Sequence, residues 1–574
     1  MKHILIILLT VCQAIPIIAQ QRNPKWLDQA NKAIFTVETT TKEGTTRTVP
    51  GFFIHENGEA VASYDIFRRA EKAVAITSTG ERLPVAQILG ADDMYGVIRF
   101  KVSVPKKTIF LPVAKNSPAM NSTVYLPPSS EEKNLVQGTI SEISKVSSVY
   151  DYYKVEMPLP QSQVGYPLLN EAGEVVALAQ VDASGKGNTY GIAVAYIQNL
   201  KASTTDLFKS TYTDIGIRKA WSSDIDEAQI SLFLYASQQD AKTYLETISD
   251  FIDAFPAHAD GYLSRASHYA YRRKELAPIE SDQLNLLDLA WNDLESAAKY
   301  TKNKGEANYN NARLIFGVVT VDSLLSHKNW SLQSAEEELR KAMASQNLPV
   351  YHQLQGDIAF FKQDFEKAYD SYTIVNNSSA ASGLTFYLAA KSKQQIPGAN
   401  LMEIITLIDS AITKSANIDA TDYLLENIDL KIQAGLYELA VKDYDKYFIA
   451  SGGSVSHDFY YYREQAKFRS GDLEGALKDI EMALLMNNSD AVYHAERASI
   501  YLRMQNPAKA QESAQKAIEL EPEFASAYRL LGVCLVRQEK QAEACIQFEK
   551  AKELGDPVVE RLINENCNST GQIN

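Results

Sequence analysis

The chain has 574 residues, several domains' worth, with 45% apolar and 22% charged residues, which excludes a disordered or fibrous class. Its net charge of −14 excludes a general nucleic-acid binder, because phosphate recognition needs clustered Lys and Arg. The 31 tyrosines against 20 phenylalanines point to many half-buried amphipathic positions, as in helical repeats and binding grooves.

Met1-Lys2-His3 is a short basic start, followed by an apolar run from Ile4 to Ala19 that Gln13 and Pro16 interrupt. The run is short for a membrane span. It reads as a secretory signal peptide over residues 1–20, cleaved near Ala19 or Gln20, so the mature protein is expected in the periplasm. Lipoprotein cleavage before Cys12 is the alternative, and Leu9-Thr10-Val11 lacks the small residues it needs. No later stretch is apolar and long enough to span a membrane, so no transmembrane segment is expected in the mature chain. Of the four cysteines, Cys12 leaves with the signal. Cys534, Cys545 and Cys567 predict neither a disulfide framework nor a CxxC metal site.

From about Trp26 to Leu200 the apolar residues alternate in short runs, such as Val61-Ala62-Ser63-Tyr64 and Val97-Ile98-Arg99-Phe100. Asn57-Gly58, Thr79-Gly80 and Ala172-Gly173 mark turns between them. Many short strands at close spacing predict an all-β barrel or sandwich. Residues 205–228 form a polar connector with little pattern, and from Ile230 onward the periodicity is helical.

The helical half repeats itself. Ala498, Tyr501, Ala510, Ala514, Ala517 and Pro522 return 34 residues later as Gly532, Leu535, Ala544, Phe548, Ala551 and Asp556, with Pro557 adjacent. Ala476 and Ala483 precede Ala510 and Ala517 by the same interval. Weaker copies run upstream through Ala440-Tyr444-Tyr447, Ile404-Ile408-Ala411, Ala368-Tyr372-Val375, Ala335-Leu339-Ala342 and Ala290-Leu294-Ala297. The gap from Ala266 to Ala290 is 24 where the others have 12, which predicts a longer turn around Pro278. This period resembles tetratricopeptide repeats, an all-α solenoid. The named small and aromatic residues are expected to pack helices together. Binding would fall to polar residues of the concave face, with Tyr460-Tyr461-Tyr462-Arg463 a candidate contribution to a peptide groove.

Residues 50–67 (PGFFIHENGEAVASYDIF), 162–178 (SQVGYPLLNEAGEVVAL) and 190–194 (YGIAV) together resemble the trypsin-like serine proteases of the Deg (HtrA) type, over about 170 residues. The resemblance implies two six-stranded barrels and a Ser-His-Asp triad with backbone N–H donors for the oxyanion. This sequence departs at every triad position. Asp65 stands at the histidine, Met94 at the aspartate with Asp93 beside it, and Val164 at the serine. Ser162-Gln163 falls on the family's Gly-Asn, and Gly165-Tyr166 on its Gly-Gly. Valine has no nucleophile, and a carboxylate is a much weaker base than imidazole. His55 belongs to a hairpin turn beside Asn57-Gly58. No catalytic residue, metal or cofactor is therefore expected.

The domain reading is a signal peptide 1–20, a trypsin-like domain 21–205, a linker 206–228, repeats 229–560 and a tail 561–574. The function expected is non-enzymatic binding of proteins or peptides, as an exported adaptor or scaffold. The alternative is an active endopeptidase with an unrecognised triad. A third reading makes the barrels a cap for the first repeat.

Overall fold

The computed structural model describes residues 24–181, 188–322, 325, 327–415 and 420–567. The signal peptide over 1–20, its cleavage point and Cys12 lie outside the described residues. The chain divides into two compact units, one ending at Arg265 and one beginning at Ala266.

The first unit holds twelve strands: β1 Ile34–Thr41, β2 Thr46–Phe53, β3 Glu59–Ser63, β4 Ala70–Ile76, β5 Arg82–Asp92, β6 Val97–Val102, β7 Thr123–Leu126, β8 Val136–Val146, β9 Tyr150–Glu156, β10 Pro167–Leu169, β11 Val175–Val181 and β12 Thr189–Ala193. They close into two six-stranded antiparallel barrels, β1-β2-β3-β6-β5-β4 and β10-β11-β12-β9-β8-β7. The second barrel repeats the strand order of the first, the architecture of a trypsin-like double barrel. Period-two patterning builds each wall: along β1, Phe35, Val37, Thr39 and Thr41 are buried, while the residues between them are more exposed. Phe35 meets Phe53 at 4.4 Å and Phe67 meets Phe100 at 5.1 Å between ring centroids, filling the first barrel. Leu168, Tyr153, Val155 and Ala177 fill the second. Phe52, Val61, Leu169, Leu178 and Ile192 form a further apolar cluster made from strands of both.

The segment read from sequence as a linker is packed. Leu207, Tyr212, Ile215 and Ile217 are buried in the core of the first barrel. The Ile88 N–H donates to Arg218 O at 2.7 Å, the Ala220 N–H donates to Ile88 O at 2.8 Å, and the Ala91 N–H donates to the Tyr212 hydroxyl at 2.8 Å. These four apolar side chains have no regular spacing, so no periodicity betrays them.

The second unit consists of helices packed in pairs. Ala491–Arg503 with Pro507–Leu520 and Ala525–Arg537 with Gln541–Glu553 are the most regular pairs. The repeat positions do the packing expected of them: Ala498, Ala510, Ala514, Ala517, Ala544, Phe548 and Ala551 are all 0% exposed. A Cβ on Gly532 would lie 2.4 Å from the Phe548 ring, and one on Gly356 would lie 2.7 Å from that of Tyr372. Around Pro278 the turn is not longer. The helices Ala259–Leu276 and Glu280–Tyr300 reach 18 and 21 residues, so the additional chain extends the helices themselves.

The C-terminus corrects the cysteine reading. Cys545 and Cys567 form a disulfide across 22 residues, and Cys534 is a buried free thiol. The helix Val559–Asn566 folds back so that Val559 and Ile563 enter the last repeat's core, which brings Cys567 to Cys545. Spacing alone does not choose one pair among three cysteines. The segment read as a tail is thus helical to Asn566, and residues 568–574 lie outside the described residues.

Gly532→Ala is expected to lower stability by about 1–3 kcal/mol, since the added methyl overpacks a filled site. Urea unfolding of the C-terminal transition would show it as a lower midpoint. An unchanged midpoint would contradict the contact.

Candidate functional site

After β3 the chain makes one 3₁₀ turn, Tyr64–Phe67. Its outer residues are anchored: the Tyr64 N–H donates to Gly96 O at 3.0 Å, the Tyr64 hydroxyl donates to Thr211 O at 3.0 Å, and Ile66 and Phe67 are buried. Asp65 is left exposed between them. In the second barrel a 3₁₀ turn, Gln161–Gln163, leads into β10. Gln163 is wholly buried, and its Nε2 donates to Pro127 O at 2.7 Å. Gly165 has φ +89°, a left-handed conformation that favours glycine.

Two amide hydrogens of this loop are taken up by backbone carbonyls. The Val164 N–H donates to Gln161 O at 3.4 Å and the Gly165 N–H to Ala179 O at 2.8 Å. An oxyanion hole needs N–H groups aimed at the reacting atom instead. Here the amide at the nucleophile position closes the 3₁₀ turn.

A cleft of about 1020 Å³ joins the two turns. Asp65, Ser63 and Phe35 line it from the first barrel, and Ser162, Val164 and Tyr166 from the second. Of the three positions that the sequence resemblance aligns with a triad, Asp65 and Val164 therefore line one cleft, and Met94 does not. Met94 is 83% exposed in the turn between β5 and β6 and does not line the cleft. Asp93 beside it is also exposed, while Asp92 accepts hydrogen bonds from the Tyr196 hydroxyl and from the Tyr95 N–H. His55 sits in its hairpin, its Nδ1 accepting from the Asn57 N–H at 3.1 Å and its ring stacked on Phe110. Among the described cleft-lining residues there is no histidine. The Ser162 Oγ is buried without a hydrogen-bond partner, so no base contacts it. Pro128 and Lys133 also line the cleft. No motif marks them, because they belong to the irregular segment between β7 and β8.

The second unit has its own hollow, of about 700 Å³. Tyr437, Tyr447, Phe459, Tyr461 and Tyr462 line it together with Asp429, Asp458 and Arg469. Of the four residues singled out from sequence, Tyr461 and Tyr462 face it. Tyr460 packs against Phe448 and Phe459 instead. Arg463 is committed elsewhere: Asp479 holds its guanidinium with two bonds of 2.7 Å, Asp445 with one of 2.9 Å, and the Phe459 ring lies 5.1 Å beneath it.

Glu464, the next residue, is wholly buried. Burial, followed by repulsion from Glu496, pushes its carboxyl up to about 8, against one hydrogen bond from Gln465.

Residues 496–557 match a family model described as a tetratricopeptide repeat. Among solved structures the chain is similar to a serine endoprotease from Yersinia pestis, at 16% identity, covering 33% of this chain and 65% of that one with a TM-score of 0.26. It is also similar to an HtrA-type protease with a tripeptide, at 13% identity, covering 32% of this chain and 62% of that one with a TM-score of 0.27. The chain thus spans less than two thirds of the length of either protease. The double-barrel assignment rests on the strand order of the two barrels.

Two outcomes follow. Val164→Ser with Asp65→His supplies a nucleophile and a base but no orienting carboxylate. Its ester hydrolysis is expected to stay about 10⁴-fold below that of a full triad, and turnover near a protease's would contradict the loop geometry. For Glu464, the native carboxyl keeps its proton to about pH 8, whereas an unfolded one loses it near about 4.3. The native state binds the extra proton between those values, so this group's contribution to stability falls as pH rises through that window. Glu464→Gln is expected to raise the melting temperature at pH 8 and leave it nearly unchanged at pH 4. An identical pH slope in both proteins would contradict this.

Proposed function

We propose that the protein is a non-enzymatic binding protein of the bacterial periplasm, an adaptor or scaffold that holds protein or peptide segments. One observation carries the reading: the position aligned with the nucleophile holds Val164, its amide is spent inside its own turn, and among the described residues the cleft it lines holds Asp65 and no imidazole. A cleft of this kind offers an extended peptide a surface to lie against, without a group that attacks it. The tetratricopeptide match over 496–557 supports a second, protein-binding surface. Two modest sites on one chain reinforce each other through effective concentration. A cleaved signal peptide over residues 1–20 and a protease-like module before the repeats belong to this proposal.

The competing reading, a working endopeptidase, draws on Ser162, whose buried hydroxyl lies in the same cleft. It lacks a base to activate that hydroxyl.

Fluorescently labelled reduced casein, an unstructured protein, is expected to bind the mature chain saturably and to be recovered uncut. Val164→Arg fills the cleft and Tyr462→Ala trims the aromatic hollow. At least one of them is expected to weaken binding about tenfold, which is about 1.4 kcal/mol. Casein fragments, or binding that neither substitution affects, would contradict the proposal.

A further inference from the structure

The first unit contains a second hollow, of about 400 Å³ and partly open to solvent, within the size range of small-molecule sites. The segment 216–222 and the two helices that follow it, Ile225–Tyr235 and Ala241–Ala254, form its walls. Trp221 and Tyr235 stand edge-to-face at 6.1 Å and give it an aromatic side. Gln239 also lines it, and the Gln239 Oε1 is buried with no hydrogen-bond partner.

Lys219 lines the same cavity. Its Nζ donates to Ile215 O, and among the described residues no carboxylate is ion-paired with it. The charges around it come from three elements. Glu71, on β4, lies against Gly216, where any Cβ would come within 2.5 Å of a carboxylate oxygen. Arg218 is paired with Asp250, which also accepts from Trp221 Nε1 at 3.1 Å. Glu246 lines the cavity from the same helix as Asp250.

We propose that Lys219 is an amine nucleophile in a ligand cavity, and that the cavity takes a planar aromatic aldehyde, which Lys219 holds as an imine. The aromatic side stacks the ring, and a ring hydroxyl donates to Gln239 Oε1. The Lys219 Nζ lone pair forms a C–N bond to the carbonyl carbon, and the carbonyl oxygen takes up a proton to give a carbinolamine. That oxygen then leaves as water with the two hydrogens lost from the amine. The step needs no oxidant or reductant. Burial, outweighing the attraction of Glu71, pulls the ammonium down to about 8, so about a tenth of the amine is neutral at pH 7 and about half at pH 8. This inference goes beyond the binding role above and does not rest on it.

The test is site mapping. The mature protein is treated at pH 8 with less than one equivalent of pyridoxal, which carries the aldehyde and a ring hydroxyl. It is then reduced with sodium borohydride and digested for mass spectrometry. Lys219 is expected to take the first equivalent, at least about tenfold faster than the exposed Lys242, because about half of its amine is neutral at pH 8 and the cavity holds the aldehyde against it. Gln239→Leu is expected to slow Lys219 and leave Lys242 unchanged, and Lys219→Arg to remove the fast equivalent. Labelling of Lys219 no faster than that of Lys242 would overturn the proposal. That comparison uses the unsubstituted protein, so it stands even if a variant fails to fold.

Discussion

Neighbouring elements can approach only as closely as the side chains between them allow, and both units of this protein depend on that constraint. In the solenoid, Gly532 lets the Phe548 ring lie where its own Cβ would be, and Ala510, Ala514 and Ala517 keep neighbouring helices close. In the second barrel, a Cβ on Gly191 would come within 2.8 Å of Leu168 and 2.9 Å of Ala177. A packed interior transmits such contacts and does not absorb them. Once the contacts are made, the barrels are closed and the helix pairs are stacked. The loops that could carry chemistry are then held at fixed places on a rigid frame.

The nucleophile-type loop illustrates the separation of frame from chemistry. The residues that shape it remain: Gly165 with its positive φ, buried Gln163 bonded to Pro127, and Pro167-Leu168 in β10. The positions aligned with the reacting residues of the resembled family hold Val164 in the loop and Asp65 on the first barrel's side of the cleft. A hydroxyl or an imidazole contributes little to closing a barrel, so the fold does not require one at either position. That is why fold and function must be argued apart for this chain.

The same division explains what the sequence made legible. Period-two runs such as that of β1, and the 34-residue recurrence of small residues, are local signals, and both barrels and repeats follow from them. Non-local contacts leave no such mark. Leu207, Tyr212, Ile215 and Ile217 enter the first barrel from a stretch without periodicity. Cys545 meets Cys567 only because a terminal helix turns back. Lys219 stands out only once the cavity around it is formed. At the cleft, the motif order points to Asp65 and Val164, which line it together, while Met94 lies in an exposed turn outside it.

The central claim is that the cleft binds without cutting. The most direct test is labelling of the purified protein with a fluorophosphonate, which reacts with an activated serine whatever the natural substrate, beside an active trypsin-like protease. The account predicts no labelling of this protein while the control is labelled. Labelling that disappears on changing one serine, Ser162 above all, would contradict it and make that serine the catalytic group.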